Sequence, residues 1–245
     1  RKVEFNPIES GSLIHVVLEQ MVKKYGGAGL LDLKTELLQQ EVSKIIHTYL
    51  SERILDLSSM SARFRYLFTR LVDTLVRLLK RLGEEFAQSQ FEPVAFELPI
   101  RMDAEHKPLE LFTPDGFRIV VEGVVDRVDV MKKDGIQYVR VVDYKSGSKE
   151  FKLSVVYYGL NMQMLIYLFS LCNHFEENNN AQLNIPAGVL YMPAKDKVLS
   201  ADRDTDEKAA KKAQRKQMKM NGILLENREV LSAMEADLAG IFIPA

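Results

Sequence analysis

The sequence has very little cysteine, with Cys172 as its one thiol in 245 residues. A lone cysteine excludes an internal disulfide framework and a multi-cysteine zinc or iron–sulfur site built from this chain alone. The sequence also lacks an apolar run of about 18 residues, the length needed to span a bilayer, and its first residues lack the apolar core of a signal peptide. We therefore expect a protein of the reducing cytoplasm with no membrane partner.

The net charge is close to zero, and the common nucleotide-binding motifs are absent. The formal net charge is −1, so a DNA contact would have to come from local basic faces. No Gly-x-Ser-x-Gly elbow, Walker loop or glycine-rich dinucleotide fingerprint is present, which argues against a serine hydrolase and against a motor. Hydrophobic residues make up 47% of the chain, which is enough for a sizeable core.

Hydrophobic periodicity predicts a mixed α/β protein with an amino-terminal helical addition. Helical spacing covers residues 10–25, 33–50 and 58–82, where Gly83 is expected to end the third helix. Alternating residues 93–100, a central hairpin and an apolar run at 187–191 predict strands, and residues 153–171 predict a long helix. We expect one domain over residues 1–245, with a helical part (1–86), a sheet-and-helix core (87–199) and a helical tail (200–245).

The central hairpin organises the rest of the chain. Apolar runs at 119–130 and 136–144 flank Asp134-Gly135, and Asp-Gly between such runs is a strong hairpin signal. Because strand side chains alternate between faces, Asp143 and Lys145 share one face and Tyr144 points to the other. Pairing across the turn is expected to bring Asp126 close to Asp143 and Lys145.

The Asp-x-Lys triplet that closes the hairpin is weak evidence alone, since about one is expected by chance in a chain of this size. The sequence has three such triplets, beginning at Asp32, Asp143 and Asp206. Only the triplet at Asp143 ends an apolar strand, where charged groups are costly unless they are paired or bind an ion. A simple Asp–Lys pair at a sheet edge is the alternative interpretation.

A second carboxylate favours a metal site. Mg²⁺ takes oxygen ligands, commonly one or two carboxylates with water and substrate phosphate, and a nearby lysine can orient and help deprotonate the attacking water. Asp126 is the candidate partner of Asp143, and the backbone carbonyl of Tyr144 is a further candidate ligand. Glu122 and Asp129 compete for the second position; strand alternation places Glu122 on the face of Asp126 and Asp129 on the other.

Two further sets of residues are ambiguous from the pattern alone. His15 lies in the first helix, where a histidine is more often a solvated helix residue than a ligand. Arg127 and a basic stripe in the tail are candidate DNA contacts, although the pattern of the stripe favours an ordinary solvated face. The residues of the stripe chosen as DNA contacts are Lys211, Lys212 and Arg215.

Four motifs in order resemble the RecB-type nucleases of the PD-(D/E)xK superfamily. They are Gly-x-x-x-His ending at His15, GVVDRVD from Gly123, VVDYKSG around Asp143, and Gln163-x-x-x-Tyr167. The surrounding segments SGSLIHVVLE, YYGLNMQMLIYL and KQMKMNGILLENREVLSAME are similar more narrowly to the carboxyl-terminal nuclease region of AddB, a subunit of the bacterial AddAB helicase–nuclease. The similarity covers about residues 11–234.

The resemblance implies a restriction-endonuclease-like core and a role for each motif. His15, Asp126, Asp143 and the Tyr144 carbonyl would hold Mg²⁺, or Mn²⁺, while Lys145 would position or activate water. Gln163 and Tyr167 would support the site and contact the DNA strand. The implied reaction is phosphodiester cleavage in single-stranded DNA delivered by an AddA-like helicase subunit, as part of double-strand break processing in recombinational repair.

The chain departs from the AddB pattern in one respect. That family usually carries an iron–sulfur cluster whose four cysteines flank the nuclease core, and those cysteines are absent here. The sequence begins with Arg1, so we expect a segment cut from a longer protein inside the boundaries of the cluster. Two other functions stay open: a catalytically silent DNA-binding or scaffolding module, and a stand-alone RecB-like exonuclease.

Overall fold

The computed structural model describes residues 7–52, 62–145, 152–178, 183–194 and 218–244. The chain divides into two compact units. The first comprises Arg1–Ala87 and Ala194–Asp196, and the second comprises Gln88–Pro193 and Lys197–Ala245.

The first unit is helical in the described residues. Its elements are α1 (Pro7–Tyr25), a 3₁₀ turn (Ala28–Leu31), α2 (Thr35–Ser51) and α3 (Ala62–Gln88). α1 ends as predicted because Gly26 adopts a φ of 73° while its N–H donates to the carbonyl of Val22 at 2.8 Å.

The prediction that Gly83 ends the third helix is wrong, since α3 continues to Gln88. A Cβ atom at Gly83 would lie 3.0 Å from the backbone nitrogen of Leu31 and 3.2 Å from Cβ of Leu30. The glycine therefore allows the 3₁₀ turn to approach α3 closely, and this packing role is indistinguishable from a stop signal in the sequence.

The second unit is built on a mixed five-stranded sheet in the order β1-β4-β5-β6-β7. β5 and β6 are parallel and the other neighbours are antiparallel. The predicted mixed α/β fold with a central mixed sheet is confirmed. The strands are β1 (Glu92–Ile100), β2 (Glu110–Phe112), β3 (Arg118–Val120), β4 (Gly123–Lys133), β5 (Ile136–Lys145), β6 (Leu183–Pro193) and β7 (Asn221–Leu224), with β2 and β3 forming a separate two-stranded sheet.

The central hairpin is confirmed with the predicted turn. Lys133 pairs with Ile136, so the loop is the two residues Asp134 and Gly135, with φ of 51° and 78°. Positive φ at both positions is the conformation of a type I′ turn, whose twist matches that of the strands.

The predicted helix over residues 153–171 is instead divided into α4 (Leu153–Tyr157) and α5 (Gln163–Asn178). Gly159 and Asn161 between them have φ of 78° and 57°, which is incompatible with a continuous right-handed helix. Apolar residues continue through this turn, so the periodicity gave no sign of the break.

β6 is longer than the predicted strand and includes Pro186. The pairing of β5 with β6 passes from Val139–Pro186 to Arg140–Gly188, skipping one residue of β6. This irregularity accommodates a proline, which cannot donate to a regular ladder.

The predicted helical tail is wrong for residues 221–224, which form β7 against β6. The same predicted helical tail does contain one short helix in its described part, α6 (Arg228–Met234). Asn227 caps it by accepting hydrogen bonds from the N–H groups of Glu229 and Val230.

The core of the second unit lies between the sheet and α5. Its strand side is valine-rich, and the face of α5 contributes Met164, Tyr167, Leu168, Leu171 and Cys172. The strand side includes Val125, Val128, Val130, Val139, Val141 and Val189. Among the helices that the structure describes, none is both long and apolar enough to cross a membrane.

Candidate functional site

The candidate site lies where the ladder between β4 and β5 stops. The last backbone pair is Arg127 with Val142, although β4 continues back to Gly123 and β5 continues to Lys145. Beyond that pair the N–H of Tyr144 donates to the side chain of Asp126, at 2.7 Å from Oδ2. A carboxylate therefore takes the place of a backbone carbonyl in the sheet.

Asp143 and Lys145 project from the same face of β5, as strand alternation predicted. Lys145 Nζ lies 2.6 Å from Asp143 Oδ2. The Asp143 side chain is 14% exposed and that of Lys145 is 35% exposed, so the pair lies at the rim of the core and solvent reaches it. The Asp143 carboxylate is thus largely desolvated beside a cation.

The first turn of α5 is fastened to the start of β4. Gln163 Nε2 donates to Tyr167 Oη at 2.6 Å, and Tyr167 Oη donates to the carbonyl of Glu122 at 2.9 Å. This approach requires Gly123, because a Cβ atom there would lie 1.8 Å from Tyr167 Oη. Gln163 and Tyr167 are therefore held at the start of the strand that carries Asp126.

A buried ionic cluster occupies the opposite face of β4. Arg127, Asp129 and Arg140 are fully buried, with Asp129 2.9 Å from Arg127 Nε and 2.8 Å from Arg140 Nε. Arg127 also donates to Tyr144 Oη at 3.1 Å, and the Arg140 guanidinium lies 4.9 Å from the ring centre of Phe91. Here two guanidinium groups compensate one carboxylate within the core.

The cluster bears on two sequence-based predictions. The structure does not support Arg127 as a DNA contact, because its side chain has no exposed surface and is held by Asp129 and Tyr144. Asp129 is engaged with two arginines on the face away from Asp126, which removes it as a competing metal ligand. The sequence pattern missed this because arginine is mostly a surface residue unless it is paired.

Glu97 is a candidate site residue that the sequence analysis missed. The register of β1 and β4 pairs Phe96 with Arg127 and Leu98 with Val125, which places Glu97 opposite Asp126. Oxygen atoms of the two carboxylates lie within 4.8 Å of each other. Glu97 also has a φ of 47°, which is rare for a residue other than glycine. The pairing joins strands about 30 residues apart in sequence, so no local pattern could reveal it.

Tyr191 is the second residue that was missed. It is the β6 partner of Asp143, and the centre of its ring lies 5.7 Å from Lys145 Nζ. Burial, and then the negative charge of Asp143, raises the pKa of the Tyr191 phenol above its ordinary value. The phenol is therefore neutral at physiological pH and remains a hydrogen-bond donor beside the Asp143–Lys145 pair.

The remaining predicted residues lie elsewhere or outside the description. Glu122 Oε1 accepts a hydrogen bond from the N–H of Met102 at 2.9 Å, so this competitor for the second carboxylate position is engaged there. His15 lies on α1 of the first unit, and its placement at the metal stays a prediction. The predicted tail contacts Lys211, Lys212 and Arg215 lie outside the described residues.

A family model for the PD-(D/E)XK nuclease superfamily matches residues 1–241. The chain belongs to this superfamily. PD-(D/E)XK nucleases generally use divalent metals, and the donor set described above supplies the hard oxygen atoms that such ions prefer. Within the described residues Asp143 Oδ2 is buried and accepts no hydrogen bond, its near neighbour being the Lys145 ammonium. Such an oxygen atom fits a cation ligand.

Curated relatives of this PD-(D/E)XK nuclease share one name, which describes each as a subunit of an ATP-dependent helicase/deoxyribonuclease. The protein of Clostridium acetobutylicum is 31% identical over 253 residues, covering 100% of this chain and 22% of the relative. That of Clostridium botulinum strain Okra is 33% identical over 235 residues, covering 94% of this chain and 20% of the relative. That of Acetivibrio thermocellus is 32% identical over 243 residues, covering 98% of this chain and 21% of the relative. The chain thus spans about a fifth of the length of these relatives.

Proposed function

We propose that the chain is a Mg²⁺-dependent deoxyribonuclease domain that cleaves phosphodiester bonds in single-stranded DNA. The observation that carries the proposal is the convergence of Asp126, Asp143 and Lys145 where the β4–β5 ladder ends. Carboxylates at the rim of a core are costly unless they are paired or bind an ion, and Asp143 Oδ2 is buried yet accepts no hydrogen bond from the described residues.

The oxygen ligands proposed for Mg²⁺, or for Mn²⁺ in its place, come from adjacent strands. Asp126 and Asp143 would supply carboxylate oxygen atoms, and Glu97 joins them because its carboxylate lies within 4.8 Å of that of Asp126. The N–H and C=O of one strand residue point to the same side. Since the Tyr144 N–H points to Asp126, its carbonyl faces the same opening and is a further ligand. His15 stays in the proposed set because of its place in the ordered motifs.

Other side chains of the protein would activate the water and position the DNA. When bound, the metal ion supplies Lewis-acid stabilisation of the negative charge that develops on the phosphate. Lys145, held by Asp143, would orient the attacking water and take part in its deprotonation. Gln163 and Tyr167 would hold the start of β4 and contact the DNA strand. Tyr167 already donates to the backbone of Glu122 at 2.9 Å.

The relatives suggest the setting in which this nuclease acts. They are named as subunits of helicase/deoxyribonucleases, and the chain spans about a fifth of their length. We therefore propose a single nuclease domain over both units, within a longer cytoplasmic bacterial protein that works with an AddA-like helicase partner. The match of one family model to residues 1–241 supports treating both units as one domain. Recombinational repair of double-strand breaks is the process that this assembly would serve.

The purified chain tests the proposal directly. With Mg²⁺ or Mn²⁺ it is expected to degrade a labelled single-stranded oligonucleotide, and chelation should stop the reaction. Asp143→Asn and Lys145→Ala should each reduce the rate by at least about 100-fold, because each removes a group that acts on the reacting atoms. Single-turnover conditions keep the comparison on the cleavage step.

The sequence offers a matched control in another Asp-x-Lys triplet. Asp32 and Lys34 are both exposed residues of the first unit, whereas Asp143 and Lys145 belong to the second, so Asp32→Asn and Lys34→Ala make the same chemical changes at a triplet that is not part of the candidate site. These variants should keep the rate of the unmodified chain. Equal rates for the Asp143 and Asp32 variants would contradict the proposed site, and DNA binding without cleavage by the unmodified chain would favour a catalytically silent DNA-binding module.

A further inference from the structure

Residues 152–162, the described part of the connection between β5 and α5, expose an unusual amount of apolar surface. Tyr157 is 84% exposed and Tyr158 is 78% exposed, and Leu153 and Leu160 beside them in sequence are 65% and 62% exposed. Exposed apolar side chains that occur singly need no explanation, whereas a contiguous group marks a binding surface. We call Leu153, Tyr157, Tyr158 and Leu160 the aromatic patch.

The aromatic patch has a defined backbone. Tyr157 and Tyr158 end α4, and hydrogen bonds close the following turn from Gly159 N–H to the Val156 carbonyl and from Leu160 N–H to the Val155 carbonyl. The two rings meet edge to face, with centres 5.7 Å apart and planes at 80°. Two large exposed rings are therefore presented together on a structured turn.

The aromatic patch is continuous with the candidate site. Gln163 begins α5 directly after the turn, and its side chain binds Tyr167, which in turn binds the Glu122 carbonyl at the start of β4. Lys152, which is exposed, precedes α4 at the other end of the patch. An exposed lysine, two exposed tyrosine rings and the first turn of α5 thus follow one another along the chain, and the last of these is bonded to the start of the strand that carries Asp126.

We infer that Tyr157 and Tyr158 stack on bases of the single-stranded DNA whose phosphate lies at Asp126 and Asp143. The inference rests on the proposed function and names the part of the substrate that this surface binds. Aromatic side chains stack on unpaired bases of any sequence, while Lys152 matches the charge of the adjoining phosphate. Bases in a duplex already stack on each other, so the aromatic patch selects single strands. A protein partner is the competing occupant.

The absence of tryptophan from the chain gives a direct test. In a Lys145→Ala background, Tyr157→Trp introduces a single indole whose fluorescence is quenched when a base stacks on it. Titration with oligothymidylate should quench this emission to saturation. Tyr66→Trp is the matched control, because Tyr66 on α3 is also exposed, at 62%, and its indole should show little change. Equal quenching of the two indoles, or no quenching of the indole at position 157, would overturn the inference.

Affinity provides a second measurement that separates the ring from the hydroxyl. The double variant Tyr157→Ala/Tyr158→Ala should bind a single-stranded oligonucleotide at least about tenfold more weakly, since two stacked bases together contribute that much or more. Tyr157→Phe/Tyr158→Phe keeps both rings and should bind within about twofold of the parent. Duplex affinity should be unaffected by either change.

The outcomes distinguish this inference from the proposed function. If the double alanine variant binds single strands as tightly as the parent while Lys145→Ala still abolishes cleavage, the nuclease assignment stands. The aromatic patch then binds another partner, such as a protein subunit. If the parent fails to cleave but the indole is quenched, the stacking surface stands and the catalytic assignment fails.

Discussion

The ionic cluster on β4 leads to a sharp prediction about stability. Asp129 and Asp126 lie three residues apart on one strand, and Asp→Asn is the same chemical change at both. Asp129 is buried between the guanidinium groups of Arg127 and Arg140, whereas Asp126 is partly exposed and accepts a backbone N–H. We expect Asp129→Asn to destabilise the fold strongly and Asp126→Asn to leave its stability nearly unchanged.

The magnitude follows from what each substitution leaves behind. Removing one partner of a buried ion pair costs about 3–5 kcal/mol, because the remaining charge stays desolvated. Asparagine at position 129 keeps one acceptor, so about 3 kcal/mol is expected. At position 126, asparagine keeps an acceptor for the Tyr144 N–H, and the neutral amide reduces repulsion with the Glu97 carboxylate.

Urea denaturation followed by circular dichroism measures both changes. With a slope of about 3 kcal/mol per molar urea, the Asp129→Asn midpoint should fall by about 1 M. The midpoint for Asp126→Asn should stay within about 0.2 M of the parent. The experiment needs a chelator, since a bound cation would add its own stabilisation. If the two midpoints coincide, the assignment of Asp129 to the fold and Asp126 to the site is wrong.

The other expectations concern contacts around the same strands. Gly123→Ala should destabilise the chain by about 1–3 kcal/mol and slow cleavage, because the new Cβ atom displaces Tyr167; a normal unfolding midpoint would contradict this. Tyr191 has a raised pKa, so the folded state holds its phenolic proton more tightly than the unfolded chain, whose ordinary value is 10.0. Stability in chelator should therefore fall as pH rises above about 10, and less so in Tyr191→Phe. Asp143→Asn should lower the pKa of Tyr191 in an ultraviolet titration, and an unchanged value would show that Asp143 does not act on it.

Much of the central hairpin was predictable because its signals are local. Asp134-Gly135 specifies the turn from its own backbone preferences, and period-two alternation places Asp143 and Lys145 on one face once the strand is known. Asp126 followed from counting back across that turn. No information beyond residues 119–145 was needed for this part of the site.

Glu97 and Tyr191 could not be predicted because they depend on register between strands that are distant in sequence. β1 pairs with β4, although β2 and β3 lie between them in sequence, and β5 pairs with β6, although α4 and α5 lie between them. A shift of one residue would turn either side chain to the opposite face, and nothing local sets that register. The prediction that Gly83 ends a helix was wrong for a related reason, since tertiary packing and helix termination both select glycine.

The hydrogen bond from Tyr144 to Asp126 has a consequence for measurement. Most amides inside a sheet are protected from exchange with solvent deuterium by a neighbouring backbone, and they exchange when strands separate. The Tyr144 amide is protected by a side chain instead. Its exchange rate therefore reports on the Asp126 carboxylate rather than on the sheet, so a single backbone proton would register whether that carboxylate stays in place when a cation or a DNA strand arrives.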